Sequence, residues 1–240
     1  MTDDVTVTGA VTVEACTRVE FESGVTMSVE DGGSVRFEGD PDCPVTVTSA
    51  KGAPAAGDWG RIDIYNSANN NNLLEHTVVE YGGAGGQYGA VWVEGGGQVA
   101  MRDVTLQDSG AHGVYFADGG PSIDAFENVE ITDVAEEAVR INANDAGALE
   151  SLSTDGARVR VSGGTIESDQ SWNGLEAPYL LDGGIDVEAS WEVQAGAELH
   201  VAAGEVIAVD NGGQLRVMGE SGNRVTFRSA LSSPAAGDWG

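Results

Sequence analysis

Five residues near the middle of the chain carry the side chains from which a polar site can be assembled: Asp108, His112, Tyr115, Asp133 and Arg140. Two carboxylates, an imidazole and a guanidinium suit cation binding or proton transfer, and a tyrosine alternating outward between Val114 and Phe116 suits stacking on a sugar ring. If the chain coils with a period of ~25 residues, Asp108, His112, Asp133 and Arg140 fall near one corner of adjacent turns, so the five are the expected ligand-binding residues. No residue is assigned a catalytic role, because the paired carboxylates that activate water and protonate a leaving oxygen are missing. His76 and His200 stand alone, and no His/Cys spacing marks a zinc site. Gly82-Gly83-Ala84-Gly85-Gly86-Gln87 has the glycines of a calcium-binding nonapeptide but glutamine where its carboxylate belongs, so neither metal nor cofactor is expected beyond adventitious calcium at acidic turns. The Thr-x-Thr pairs at Thr6-Val7-Thr8 and Thr46-Val47-Thr48 do not persist in their repeat partners, which removes an ice-binding ladder. Trp59, Trp239, Tyr81 and Tyr88 are further aromatics that would bind sugars only if exposed.

Charge narrows the partners. Lys+Arg of 11 against Asp+Glu of 39 leaves a net charge of −28, which repels nucleic-acid phosphates and anionic lipid. No apolar run approaches the ~20 residues of a membrane-spanning helix, so no membrane insertion is expected. The acidic start Met1-Thr2-Asp3-Asp4 lacks the apolar core of a signal peptide.

The elements that must position these side chains show themselves through repetition. Pro54-Ala55-Ala56-Gly57-Asp58-Trp59-Gly60 recurs as Pro234-Ala235-Ala236-Gly237-Asp238-Trp239-Gly240, and the match runs back without a gap, so residues 4–60 and 184–240 are diverged copies. Val5/Ile185, Val11/Trp191, Val19/Leu199, Phe37/Val217 and Val47/Phe227 change but stay apolar. Thr6/Asp186, Thr12/Glu192, Glu20/His200 and Thr48/Arg228, one residue further along, drift among polar types. Apolar character held at every second position marks strands with one buried face. The predicted strands are Val5–Thr8, Val11–Glu14, Arg18–Glu22, Thr26–Glu30, Ser34–Glu38 and Val45–Ser49, joined by turns such as Asp31-Gly32-Gly33. Within 72–145 a shorter period appears: His76–Gly83, Asp103–Gly110 and Asn128–Asp133 read alike, and each precedes a second short strand. An antiparallel sandwich also alternates, but it does not bring like residues back every ~25 positions, whereas a parallel coil stacks them. The fold class is therefore all-β, a right-handed parallel β-helix (β-solenoid), with Trp92, Phe116 and Ile141 expected in one interior column.

Gly32-Gly33-Ser34-Val35-Arg36-Phe37-Glu38-Gly39, Pro44–Ser49, Gly57-Asp58-Trp59-Gly60-Arg61-Ile62 and Leu74–Gly82 resemble the bacterial secreted β-helix proteins of the pectate-lyase-like superfamily. The resemblance covers nearly the whole chain but rests on turns and core positions, so it implies fold and an extracellular or cell-surface setting rather than an activity. Polygalacturonase-type sites resemble Asn-Thr-Asp, Asp-Asp, Gly-His-Gly and Arg-Ile-Lys in order. Gly110-Ala111-His112-Gly113 and Arg140-Ile141-Asn142 echo only the last two, with errors. Lyases of this superfamily use clustered Asp/Glu holding calcium beside an Arg or Lys base, and the chain's cations are few.

Cys16 and Cys43 lie about one turn apart, and their counterparts Gly196 and Asn223 have both lost the thiol, which pairs the two cysteines as a disulfide of an oxidising compartment. The expected protein is one continuous β-solenoid over 1–240, read as a fragment of a longer array because the pattern stops mid-repeat. It is a non-catalytic scaffold, stalk or adhesin that binds surface glycans or stacks head to tail into filaments. The rival is a polysaccharide lyase or hydrolase, or a glycan-binding module.

Overall fold

A computed structural model describes residues 1–30, 32–67 and 71–240. Asp31, the first residue of the predicted Asp31-Gly32-Gly33 turn, lies outside the described residues. Parallel strands stack into a β-solenoid of about 9 turns of roughly 24 residues each. One helical element, the 3₁₀ turn Ala146–Ala148, interrupts the strands among the described residues. Among the described residues no helix is long and apolar enough to cross a membrane.

One side of the coil is a parallel sheet of ten strands running from Val5–Val7 to Thr226–Ser229. Its register aligns Val5, Met27, Ile62, Val91, Val114, Val139, Val159, Tyr179, Leu199 and Phe227 into one interior column. Val93, Phe116 and Ile141 form part of the next one inward. Trp92 does not join them: it pairs with Tyr115, which pairs with Arg140, so it stands on the outer column. Val91, Trp92 and Val93 are all apolar, and period two alone does not tell which parity faces in.

The other sides explain the shorter repeat. Strands Leu73–Glu80, Gln98–Ser109 and Ser122–Val134 stack in parallel, with Val104 opposite Val129 and Thr77. Each bends at a left-handed residue, at His76, Asp103 and Asn128, and a second such residue follows at Tyr81, Asp108 and Asp133. Most residues resist positive φ, and Asn and Asp tolerate it best because a short polar side chain bonds its own backbone. The likeness of these three segments is thus a repeated pair of corners.

Turn length controls alignment. Between Val139 and Leu199 the partners in the ten-stranded sheet are 20 residues apart, at 139, 159, 179 and 199. The two 60-residue copies therefore sit one side apart round the coil. Val5–Val7 belongs to the ten-stranded sheet, whereas its counterpart Ile185–Val187 lies in a three-stranded sheet and Glu198–Val201, the counterpart of Arg18–Phe21, takes the ten-stranded side.

The strands bury what stacks on them. Val29 and Phe37 are fully buried beneath the next turn, while their counterparts Val209 and Val217 in the last turn are 46% and 50% exposed. Interior rings meet across and within turns: Phe21 stacks on Trp59 at 4.9 Å, and Trp172 lies 4.7 Å from Trp191 in the next turn and 5.0 Å from Tyr179 in its own. Backbones also pack closely. A Cβ on Gly33 would come within 2.2 Å of the Val7 carbonyl oxygen, and one on Gly213 within 2.0 Å of the equivalent Val187 oxygen. A disulfide joins Cys16 to Cys43 across neighbouring turns. At the same place in the second copy the Asn223 amide fills the space: a Cβ on Gly196 would lie 2.7 Å from Asn223 Oδ1.

Two outcomes follow from stacking. Val29→Ala should cost about 2 kcal/mol or more, as read from urea unfolding midpoints; a cost below about 0.5 kcal/mol would refute burial by stacking. The double variant Gly196→Cys, Asn223→Cys should form a second inter-turn disulfide, seen as loss of both new thiols to a thiol reagent under non-reducing conditions, and raise stability by about 2–4 kcal/mol.

Candidate functional site

Alternate residues of the ten-stranded sheet point outward, and the register orders them as Thr6, Ser28, Asp63, Trp92, Tyr115, Arg140, Arg160, Leu180, His200 and Arg228. The column is small and acidic at its start and aromatic and cationic after Trp92. It holds three of the chain's 11 basic residues. Arg61 and Arg158 stand two residues before Asp63 and Arg160 on the same strands or their leading turns. In a chain of net charge −28, this concentration of guanidinium groups is the strongest departure from an acidic surface.

The side chains are held by one another. The Arg61 guanidinium lies over the Tyr88 ring at 4.4 Å and over Trp92 at 4.6 Å, and the two rings are 4.3 Å apart. One turn on, Arg140 covers Tyr115 at 4.6 Å while its Nε donates to Ser162 Oγ at 3.3 Å, and His112 meets Tyr115 edge-on at 5.9 Å. Such cation–aromatic contacts contribute about 0.5–2 kcal/mol and fix a flexible arginine in one pose. Arg160 pairs with Asp182, and Arg158 makes a forked pair with Glu137 at 2.7 and 3.2 Å. Three donor atoms nevertheless stay buried without a hydrogen-bond partner: Arg61 Nε, Trp92 Nε1 and Arg160 Nε.

Gly86, Gln87, Tyr88, His112, Tyr115, Glu136, Arg140 and Arg160 line a cleft of about 390 Å³ on this face. His112 is buried in its wall. Its Nδ1 accepts the Glu137 N–H at 3.2 Å, so the neutral ring carries its proton on Nε2. Burial pushes the imidazole below its ordinary value, and the neighbouring Arg140 and Arg160 charges act in the same direction, against the Glu136 charge. Further along, Glu198 Oε1 lies 2.7 Å from His200 Nε2 and 2.8 Å from Arg228 Nε. Arg228 Nε is also 2.7 Å from His200 Nε2, but a nitrogen donating to Glu198 cannot accept as well, so the glutamate is the shared acceptor. The His200 bond, with the Arg228 charge, holds the Glu198 carboxyl low despite partial burial.

Of the five residues expected to form a site, the structure brings His112, Tyr115 and Arg140 into this cleft. Asp108 and Asp133 do not line it. They occupy the stacked left-handed corners, where Asp108 is pushed up first by burial and then by the charges of Asp133 and Glu80. Sequence reasoning named Tyr88 only as an aromatic that would bind sugars if exposed, placed Trp92 inside, and missed Glu136 and Arg160. Arg160 was hidden because a 20-residue turn follows Arg140 in place of a 25-residue one, and Trp92 because its parity was misread. Glu136 is the one carboxylate lining the cleft, which gives no second carboxylate for glycoside hydrolysis there. No group of three His, Cys, Asp or Glu side chains is placed to hold a metal among the described residues.

The imidazole gives a test of this geometry. Because His112 is depressed in the folded chain, the unfolded chain takes up its proton more readily. Its contribution to stability is complete above about pH 6.5 and is lost as pH falls from there toward the folded value. An NMR titration should place the His112 midpoint below about 6.5, and His112→Gln should flatten the loss of stability below that pH. A midpoint at or above it would mean that the ring is not enclosed as described.

Compared with known proteins, residues 2–92 match the family described as pectate-lyase like beta helix domain. That match and the parallel coil of the whole chain are consistent with the pectate-lyase-like superfamily. The matched stretch ends at Trp92, so most of the cleft lies beyond it. No curated protein and no solved structure matches the chain.

Proposed function

Taking a parallel β-helix of the pectate-lyase-like type as the premise, we propose that this chain is a non-catalytic extracellular scaffold whose ten-stranded face adheres to glycans bearing acidic groups. The observation that carries the reading is the stacked outer column itself. Trp92, Tyr115, Arg140 and Arg160 succeed one another at the ~4.8 Å spacing of neighbouring strands, and Tyr115, Arg140 and Arg160 line the cleft. A ligand with a carbohydrate ring and a carboxylate or sulfate would set its ring against the cleft tyrosines Tyr88 and Tyr115 and its anionic group against the Arg140 and Arg160 guanidinium groups. The protein's overall charge repels such a polymer at long range. Moderate salt screens that repulsion more than it screens partly buried contacts. The disulfide between Cys16 and Cys43 supports an oxidising setting, and a rigid coil suits display at a surface.

Binding to an array of acidic and neutral polysaccharides, followed by calorimetry on those retained, checks the proposal. Tyr115→Ala and Arg160→Ala should each weaken binding about tenfold or more, as expected for loss of a stacking face or a charge-assisted bond. Tyr65→Ala, at an exposed aromatic outside the cleft, should leave affinity unchanged. Retention of no polysaccharide, or indifference to both cleft variants, would sink it. Release of unsaturated or reducing ends from uronate polymers, with or without calcium, would replace adhesion by catalysis.

A further inference from the structure

Beside the cationic cleft lies a second one of opposite character. Asp118, Asn142, Asn144, Ser162, Thr165 and Glu167 line it together with glycine backbone, and it encloses about 420 Å³. The two clefts share a floor. Arg140 leads into Asn142 on one turn and Arg160 into Ser162 on the next, and side chains two residues apart on extended backbone face the same way about 7 Å apart. Arg140 and Arg160 line the first cleft, Asn142 and Ser162 the second. The bond from Arg140 Nε to Ser162 Oγ, at 3.3 Å, forms the boundary between them. None of the residues lining the second cleft is basic, and its charge comes from Asp118 and Glu167, both exposed. Its other polar groups are amides and hydroxyls. Asn144 spends its Oδ1 on the Glu167 N–H at 2.9 Å, which leaves its Nδ2 group to donate, and half-buried Thr165 stands on the strand Gly164–Ile166. A Cβ on Gly119 or on Gly164 would meet nothing within 4 Å, so the hollow is open.

We infer that the two clefts read neighbouring sugars of one chain, so that the ligand is a glycan in which acidic and neutral residues alternate. This rests on the acidic-glycan reading of the first cleft and adds what the second one selects. The carboxylate or sulfate of one sugar meets Arg140 and Arg160. The sugar beside it meets the Asn144 amide and the Thr165 hydroxyl as donors and two carboxylates as acceptors, a set of groups that pairs with sugar hydroxyls. An anionic sugar in that second place would stand beside Asp118 and Glu167, and like charges brought together cost affinity whatever holds the first sugar. An uncharged polymer would suit the second cleft and leave both arginines without an anion. Because the clefts adjoin along the strands, the glycan crosses the coil and does not follow its axis.

Calorimetry on the full chain with three oligosaccharides of equal length tests this: one alternating uronate and neutral sugar, one all uronate, one all neutral. The alternating probe should bind about tenfold or more tighter than either of the others. Thr165→Val should weaken the alternating probe about threefold or more, the loss of one neutral hydrogen bond, and leave the all-uronate probe unchanged. Asp118→Asn combined with Glu167→Gln, at exposed positions and so compatible with folding, should bring the all-uronate probe to within about threefold of the alternating one. Equal affinity of the native chain for the alternating and all-uronate probes, or an unchanged preference in the doubly substituted chain, would overturn the alternation and leave the acidic-glycan reading in place. Binding of the alternating probe that is indifferent to Arg160→Ala would remove that reading and this inference with it.

Discussion

The structure depends on one constraint: every turn obtains its backbone hydrogen bonds and its dry interior from the turn above and the turn below. A short strand of three residues, such as Val139–Ile141 or Val159–Val161, has no stability alone. Stacked in register, each gives its neighbour a ladder and an apolar floor, so stability is close to a sum over adjacent turns. Burial here is a property of neighbours more than of sequence. Val29 and Val209 are the same residue at the same repeat position, and Val29 is buried by the strand Ile62–Tyr65 that stacks on it.

The same constraint makes the outer surface. Whatever is placed at an outward position is lifted one strand spacing and set beside its equivalent, so single side chains become ladders. Stacking lays Trp92 beside Tyr115 and Tyr115 beside Arg140, and the cation–aromatic contacts follow from that placement. It also lays the corner residue Asp108 near Asp133, where burial first and then the charges of Asp133 and Glu80 raise the Asp108 carboxyl. Whether a ladder becomes a cleft or a strained corner depends on the backbone at that position. Positive φ selects Asp and Asn for turning the chain, whereas extended backbone leaves a side chain free to face solvent.

This division explains what the amino-acid order revealed. The strands of the first sixty residues were legible to within about a residue because two copies differ most at their outward positions: Val5/Ile185 and Val19/Leu199 stayed apolar while Glu20/His200 did not. The alignment of Val104 with Val129 was legible because two near-identical corner pairs bracket those segments. The inward or outward sense of Trp92 was not, since apolar neighbours on both sides erase the alternation. Nor was Arg160, whose alignment with Arg140 depends on a turn shortened by dropping residues at the corners, and no local signal fixes how many. His112, Tyr115 and Arg140 were found because they lie within the stretch where the period holds.

The displacement of the repeat by one side gives the outer stripe its cationic end. Interior columns on the three sides are filled mainly by Val, Ile, Leu, Met and aromatic residues, so a copied segment fits the axis on more than one side. Its outward residues, however, then face a different direction. The positions that carry Glu20 and Thr48 in the first copy lie off the ten-stranded sheet, and their counterparts in the second copy lie on it, as His200 and Arg228. Had the two copies been separated by a whole number of turns, those positions would have stayed on the other side. The column from Trp92 would then have ended without the Glu198–His200–Arg228 cluster. Turn length, adjusted by a few residues at the corners between Val139 and Leu199, therefore decides which chemistry reaches the face, while the core is indifferent to it.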